Sequence, residues 1–435
     1  MSQTLRYFGT DGVRGRAFEG PLSLDSVSRW GSAWASVAQT QGVERLLIGW
    51  DPRCSSEPLV KAFLAGWQRR IPAQLLGVVP TPAVAWLTQR HGRAWGLMVS
   101  ASHNPPEDNG LKGFDQRGNK LPEAEEFALE RAFDAVGSHI PDPTLPPLDT
   151  EAMALYLDHL GRLSVPDELR VVVDCAHGAT APWAERLLGD AVVQWLGCPA
   201  DGHRINVGVG STHLDALQGA VQAQGACLGL AFDGDGDRCL MVAPDGTVVD
   251  GDQLLWLLAG HARRQGRAVP GVVGTVMTNG GLESALRHAG IPFVRTDVGD
   301  KFMVRELAQR GWTLAAEASG HVIQTELGPS GDALATALAA LRALAELPAP
   351  ARWNWRFTPW PQRLVNVVAQ ERRPLEALPL LQDTWRSLEQ GECRIVIRWS
   401  GTEPKLRLMA EAPTKAQVDE VLHRLEMAAR ADLGL

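Results

Sequence analysis

Three times along the chain a short apolar, β-rich run opens a unit, and a later apolar run in the same unit ends in a polar loop. The opening runs are residues 45–51 (RLLIGWD), 169–174 (LRVVVD) and 271–275 (GVVGT). The runs that end in loops are residues 95–104 (WGLMVSASHN), 227–238 (CLGLAFDGDGDR) and 312–321 (WTLAAEASGH). Segments of helical period lie between them. Strands alternating with helices predict an α/β architecture with largely parallel strands. Loops that follow the carboxyl ends of strands are where open α/β sheets build ligand sites. The pattern therefore constrains both the fold and the places where chemistry can sit. A fourth segment, from about Leu364, differs: its polar loop follows a strand at 393–398 and precedes another strand and a helix.

A chain of 435 residues is too long for one hydrophobic core, so several domains of ordinary size are expected. Proline-rich stretches at 141–147 (PDPTLPP) and 348–361 read as joints. The domains expected are 1–148, 149–252, 253–360 and 361–435. With 45% hydrophobic and 21% charged residues, the balance is that of a soluble globular protein. The net charge of −8 and the lack of a basic run argue against a nucleic-acid partner. No apolar run approaches the ~18 residues a membrane span needs. Residues 332–347 come nearest, but they carry Arg342 and Glu346, with Asp332 placed as an N-cap and Pro348 as a stop, which predicts a packed helix. No basic segment followed by an apolar one opens the chain, so a cytoplasmic protein is expected. The six cysteines are scattered without a C-x-x-C pair and read as thiols in a reducing compartment.

Among the loops, Asp233-Gly-Asp235-Gly-Asp237-Arg238 is the most specific. Three carboxylates at alternate positions, with glycines between, can turn their oxygens toward one point, the environment a hard divalent cation requires. A calcium EF-hand would need a Glu at loop position 12, where this chain has Pro244. A solvated acidic turn would not need an apolar run to deliver it, so metal binding is expected, with Mg²⁺ favoured. In Ser100-Ala-Ser102-His103-Asn104-Pro105, three readings of Ser102 stand. It could be a turn cap, a hydrolase nucleophile, or a serine that accepts and returns a phosphoryl group beside a cation such as Lys112. Adjacent residues rarely aim at each other and no G-x-S-x-G elbow is present, which disfavours the hydrolase. Arg398-Trp-Ser400-Gly401-Thr402-Glu403-Pro404, with Arg407 following, offers two guanidinium groups, two hydroxyls and a glycine as a phosphate cradle. Glu317-Ala-Ser319-Gly-His321 offers groups for sugar hydroxyls and a proton carrier. Phe8-Gly-Thr-Asp-Gly-Val-Arg14-Gly15 is a weaker signal, a tight turn carrying an arginine.

Taken together and in this order, SASHNP, DGDGDR, E-x-SGH and SGTEP-x-x-R resemble the α-D-phosphohexomutase family across essentially the whole chain. FGTDGVRG and RWSGTEPKLRLM are more similar to its glucosamine-phosphate branch than to its mannose/glucose-phosphate branch. The resemblance implies three similar α/β domains plus a smaller C-terminal α+β domain around a central cleft. It implies that Ser102 is a phosphoserine and that Mg²⁺ is held by Asp233, Asp235, Asp237 and a phosphate oxygen on that serine. By the same match Lys112 and His321 are the acid/base candidates, and Arg14 supports the transferred phosphoryl. Arg238, Gly299, Asp300, Lys301, Glu317 and Ser319 fall on the substrate side, and Arg398, Ser400, Gly401, Thr402 and Arg407 hold the phosphate that is not reacting. A sugar 1,6-bisphosphate is implied as activator and intermediate, a phosphosugar as substrate, and a homodimer as assembly. The chain departs from the branch at Ala316 and Ala318, where Gly and Gln are usual. It departs also at Pro106-Glu107, Lys301 and Trp399, and none of these removes a catalytic group.

Two rivals remain. In a Mg²⁺ phosphatase water would attack phospho-Ser102, but hydrolysis gains little from a second phosphate cradle. A sugar-phosphate sensor would be expected to lose Ser102 or an aspartate, and this chain retains them all.

Overall fold

The computed structural model describes residues 5–68, 71–137, 145–165, 168–388, 393–400 and 404–435. The described residues build four sheets, and the first three share one plan. In the first, Arg45–Trp50 is flanked in parallel by Ala73–Val78 and by Ala94–Val99, and Asp108–Phe114 runs antiparallel beside the latter. In the second, Val171–Asp174 is flanked in parallel by Val192–Leu196 and Leu228–Phe232, and Cys239–Val242 returns antiparallel. In the third, Val272–Thr275 lies between Phe293–Thr296 and Leu314–Ala316, with Val322–Gln324 antiparallel at the end. The opening strands read from the sequence are, in all three sheets, the strand with a parallel neighbour on each side.

The plan fixes where the polar loops fall. Each follows the second flanking strand and leads into the antiparallel one: Ser102 lies in the first, Asp233 to Arg238 form the second, and Glu317 to His321 the third. The delivering strands are apolar because both their faces are covered, and every residue of Leu228–Phe232 is buried. The first sheet carries a core rich in tryptophan. Trp34 lies edge-on to Phe63 and to Trp95, each at 5.6 Å between centroids, and Trp30 stacks on Phe133 at 4.1 Å. Emptying one such site would destabilise by about 3–5 kcal/mol.

A hairpin of Phe8–Gly9 and Gly12–Arg16 extends the first sheet by pairing with Asp108–Phe114. Gly12 permits this approach: its φ is +81°, and a Cβ there would lie 2.2 Å from the Leu111 carbonyl oxygen. The hairpin thereby sets Arg14 opposite Gly110, two residues from Lys112. The helix expected after Asp332 runs over Ala333–Ala345, and the Asp332 carboxylate caps it by accepting from the Ala335 N–H at 2.9 Å. Among the described residues no helix is long and apolar enough to cross a membrane.

The chain divides into two compact units. The first runs to Met277 and resumes over Pro292–Trp355; the second comprises Thr278–Ile291 and Arg356–Leu435. The second has an antiparallel sheet with Lys405–Glu411 between Gln362–Val368 and Arg394–Trp399. Helix Lys415–Leu433, opened by a Thr414/Gln417 capping box, buries Leu422 and Leu425 against Leu406 and Leu408. Helix Gly280–His288 belongs to this unit through its N-cap, Asn279, whose Oδ1 also accepts from the Trp360 N–H at 2.9 Å.

Candidate active site

Ser102 sits in a buried loop with φ +53°, a left-handed conformation that a non-glycine residue holds only when its surroundings impose it. A buried Asp51–Arg53 ion pair (2.8 Å, both side chains 0% exposed) does so. Arg53 donates to the carbonyls of Ser102 (2.9 Å), Asn104 (2.8 Å) and Asp108 (3.0 Å), and also to Pro105. Asp51 accepts from Ser100 Oγ at 2.7 Å, and Ser100 Oγ in turn accepts from the Ser102 N–H at 2.9 Å. From the second sheet's side Asn206 Nδ2 donates to the Ser102 and Asn104 carbonyls at 2.8 and 2.9 Å. The hydroxyl left free of these bonds donates to Asp233 Oδ2 at 2.6 Å. With its one hydrogen used there, it can accept from His103 Nδ1, 3.2 Å away. The left-handed turn is what brings these sequence neighbours together, against the expectation that adjacent side chains diverge. Burial, with Arg238 and Arg14 nearby, lowers the His103 imidazole to about 4, so it is neutral at physiological pH.

The Asp233–Asp237 loop is pinned from three sides. Thr81 N–H donates to the Asp235 carbonyl at 2.8 Å, Ala179 N–H to that of Gly234 at 2.8 Å, and Ala333 N–H to that of Gly236 at 3.0 Å. Gly234 passes so near the Ser102 carbonyl oxygen that a Cβ would be 2.5 Å from it. The three carboxylates converge, with one oxygen of each within 4.8 Å of the others. Burial, with Asp237 and Asp235 beside it, pushes Asp233 well above the ordinary carboxylate range. Burial acts on Asp235 too, but Lys112 and Thr81 bring it below that range. For Asp237, Lys112 and His321 outweigh burial decisively. Asp235 Oδ1 and Asp237 Oδ1 are buried without a hydrogen-bond partner among the described residues. A buried acceptor left unpaired costs about 1–3 kcal/mol, more when charged. All-oxygen donors, converging and unsatisfied, fit a hard divalent cation. The triad can bind a metal.

Lys112 is almost wholly buried, and its Nζ lies 2.6 Å from Asp235 Oδ2, 3.0 Å from Asp11 Oδ2 and 3.9 Å from Asp237 Oδ2. Asp11 also pairs with Arg14 and with Lys120, so one carboxylate gathers three cations. Arg14 donates to the Ala101 carbonyl at 3.2 Å, beside Ser102.

The third loop brings His321 Nδ1 within 3.7 Å of Asp237 Oδ2 and its Nε2 within 3.9 Å of Asp300 Oδ2. Burial alone would lower this imidazole, but Asp237, Asp300 and Glu317 more than offset it and raise its pKa. Glu317 accepts from the Gly299 N–H at 2.9 Å and from Ser319 Oγ at 3.3 Å. A cavity of about 510 Å³ is lined by Asp11, Arg14, His103, Lys120, Asp237, Arg238, Gly299, Asp300, Glu317 and His321, among others. Ser102 and Lys112 are not among its lining residues. Lys301 is not part of it; its Nζ sits 5.6 Å from the Phe302 ring centroid. The cation that faces the cavity there is Lys120, 2.8 Å from Asp300 Oδ1.

In the C-terminal unit Arg398 and Arg407 are direct cross-strand partners. Like charges so placed repel, by roughly 0.2–1 kcal/mol, and among the described residues neither has a carboxylate partner. Among the described residues Arg407 reaches only Ser400 Oγ, at 3.5 Å, and its Nε is buried without a hydrogen-bond partner. Such a pair suits an anion. Gly401 and Thr402 lie outside the described residues.

An α/β chain with a serine against a buried acidic triad able to bind a metal, and with an arginine pair in its C-terminal unit, has the features of a phosphoryl-transfer enzyme. Four family models match it in succession: phosphoglucomutase/phosphomannomutase alpha/beta/alpha domain I over residues 5–139, domain II over 154–246, domain III over 250–352 and the C-terminal domain over 364–428. The chain belongs to the phosphoglucomutase/phosphomannomutase family. It is 41% identical over 437 residues to the phosphoglucosamine mutase of Aeromonas hydrophila, covering 97% of this chain and 98% of the relative. It is 43% identical over 430 residues to that of Pseudomonas aeruginosa, covering 95% and 96%. The fold is also that of a phosphoglucomutase/phosphomannomutase family protein from Burkholderia thailandensis (TM-score 0.79, 24% identity, 97% of each chain). A similar structure is the N-acetylphosphoglucosamine mutase of Aspergillus fumigatus solved with GlcNAc-6P and magnesium (TM-score 0.62, 18% identity, 99% of this chain and 96% of that one).

Proposed function

We propose that this chain is a phosphoglucosamine mutase, interconverting glucosamine 6-phosphate and glucosamine 1-phosphate through phospho-Ser102, with 1–148, 149–252, 253–360 and 361–435 as its four domains. The observation that carries the reading is the Ser102 hydroxyl, buried and 2.6 Å from a converging triad of aspartates. Near-full-length identity to phosphoglucosamine mutases supports the sugar.

Asp233, Asp235 and Asp237, with a phosphate oxygen on Ser102, would hold Mg²⁺. When bound it screens the near-double negative charge of the phosphoserine so that an oxygen nucleophile can approach. The remaining steps belong to the chain's own groups. The sugar hydroxyl attacks the phosphorus, Ser102 Oγ leaves, and the hydroxyl proton passes to Lys112 or His321. Arg14 steadies the transferred phosphoryl. The product is a 1,6-bisphosphate, which turns and returns its other phosphate to Ser102. Glu317, Ser319 and the Gly299–Lys301 loop grip the sugar, with Arg238 beside the reacting phosphate. Arg398, Ser400, Gly401, Thr402 and Arg407 bind the phosphate that is not reacting.

The test is a competition among glucosamine 6-phosphate, glucose 6-phosphate and mannose 6-phosphate with purified phosphoenzyme. Glucosamine 6-phosphate should show the highest kcat/KM. Release of inorganic phosphate in place of isomer would make the protein a phosphatase.

A further inference from the structure

The third sheet carries a second cavity, at the end away from its catalytic loop. Strands Leu314–Ala316 and Val322–Gln324 form a hairpin whose turn is the Glu317–His321 loop, and at its open end Leu314 and Gln324 are register partners. Both residues line a cavity of about 360 Å³, within the range of about 300–1,000 Å³ that small-molecule pockets occupy. The lining lies wholly within the first compact unit. Protein interiors are normally filled by side chains. Here helix Gly251–Arg264 contributes Ala262 to the lining and helix Ala333–Ala345 contributes Ala339, and side chains this short leave the space open.

The lining divides into hydrocarbon walls and a few polar groups. Leu163, Leu258, Leu314 and Leu327 supply the walls. Of the two lining arginines, Arg267 is matched by Glu326, with Nη1 to Oε2 at 3.0 Å. Arg342 has no carboxylate partner among the described residues. Glu346, one helical turn further on, instead accepts from Gln265 Nε2 at 2.8 Å and lies 3.0 Å from His261 Nδ1. Gln324 Nε2 is buried without a hydrogen-bond partner among the described residues. A buried N–H in that state carries a desolvation cost that a ligand oxygen would relieve.

We propose that this cavity binds a small organic monocarboxylate with a hydrocarbon body, the carboxylate answered by the Arg342 guanidinium and the Gln324 amide, the body by the leucines. The charge balance selects the class. One guanidinium left over from the Arg267–Glu326 pair suits a single negative charge, whereas a phosphate monoester brings close to two. A sugar body would turn its hydroxyls toward leucine side chains that cannot hydrogen-bond them. The cavity is therefore not a second substrate site. Its occupant touches Leu314 and Gln324 together and so braces the open end of the hairpin whose turn carries Glu317, Ser319 and His321.

The probe is phenylacetate, titrated by calorimetry into the full-length protein, with 2-phenylethanol and inorganic phosphate as controls. Phenylacetate should bind saturably with a millimolar Kd, as suits a ligand of about ten non-hydrogen atoms. Arg342 is exposed and Ala262 half-buried, so variants at both positions should fold and melt close to wild type. Arg342→Met should weaken binding by about tenfold, the loss of one charge-assisted contact. Ala262→Leu, which fills part of the space, should abolish it. In hydrogen exchange, saturating phenylacetate should slow the amides of the Leu314–Gln324 hairpin by at least about threefold and leave helix Lys415–Leu433 unchanged. The proposal is overturned if phenylacetate does not saturate, if 2-phenylethanol binds as tightly, or if inorganic phosphate displaces it at equal concentration. Binding that both variants retain in full, or that leaves the hairpin amides unslowed, places the ligand elsewhere and overturns it too. None of these readouts involves a sugar phosphate, so the outcome is independent of the mutase reading.

Discussion

Replacing Arg53 with methionine keeps much of the side chain's volume but deletes the charge that neutralises Asp51. Both partners are 0% exposed, and breaking such a pair by removing one member costs about 3–5 kcal/mol, because the other charge is left buried and unpaired. Asp51 keeps bonds from Ser56 Oγ at 3.0 Å, Ser100 Oγ at 2.7 Å and the residue 53 N–H at 3.1 Å, which favours the lower part of that range. The carbonyls of Ser102, Asn104 and Asp108 each lose a charge-assisted donor, which restores the upper part. Against a total stability of roughly 5–15 kcal/mol for a domain, Arg53→Met should shift the urea midpoint of the first domain's unfolding markedly. The shift should depend on pH. Burial already raises the Asp51 carboxyl despite Arg53, so protonation favours the folded state; that stability is present at low pH and lost as pH rises through the folded pKa. Without Arg53 the folded pKa rises further, and the penalty should be smaller near pH 5 than near pH 7. The double variant Asp51→Asn/Arg53→Met should recover part of the loss at neutral pH. The reasoning fails if the single variant loses under about 1 kcal/mol, or if the double variant is the less stable of the two.

Asp235→Asn replaces an anionic ligand by a neutral amide and should weaken Mg²⁺ binding, measured by calorimetry, by at least about tenfold; an unchanged affinity would remove the loop from the metal site. Chelator treatment of wild type should abolish activity, restored by added Mg²⁺, and full activity in chelator would contradict the assignment. Arg407→Ala should raise KM for both sugar phosphates by roughly 10–100-fold, the equivalent of one charge-assisted contact of about 1.5–3 kcal/mol. It should also increase the need for added bisphosphate, and unchanged values would make the arginine pair an ordinary surface feature.

What the sequence disclosed is what is local. An apolar run followed by a polar cluster marks a strand end, and all three such loops occupy the same place in the three sheets. Asp332 as a cap before an Ala-rich helix is likewise a signal contained within a few residues. The supports of the site are not local. Asp51 and Arg53 follow a strand as an unremarkable Asp-Pro-Arg, and only the fold sets Arg53 against carbonyls some 50 residues away. Asn206 and Thr81 act across sheets, and no spacing in the chain announces them. Asp11 stands in the motif that was read for Arg14, yet its hold on Lys112 and Lys120 depends on the hairpin's register. Lys301 was expected to meet the sugar; it sits near the Phe302 ring outside the cavity lining, and only the fold sets Lys120, far away in the chain, beside Asp300.

The central claim is that Ser102 carries the phosphoryl group between sugars. Purified protein incubated with a hexose 1,6-bisphosphate and Mg²⁺, then analysed by intact and peptide mass spectrometry, tests it directly. The account predicts a gain of one phosphate located on Ser102, its loss on adding glucosamine 6-phosphate with formation of the bisphosphate, and no gain in Ser102→Ala. Phosphate on any other residue, or phospho-Ser102 that does not discharge to the sugar, would contradict it.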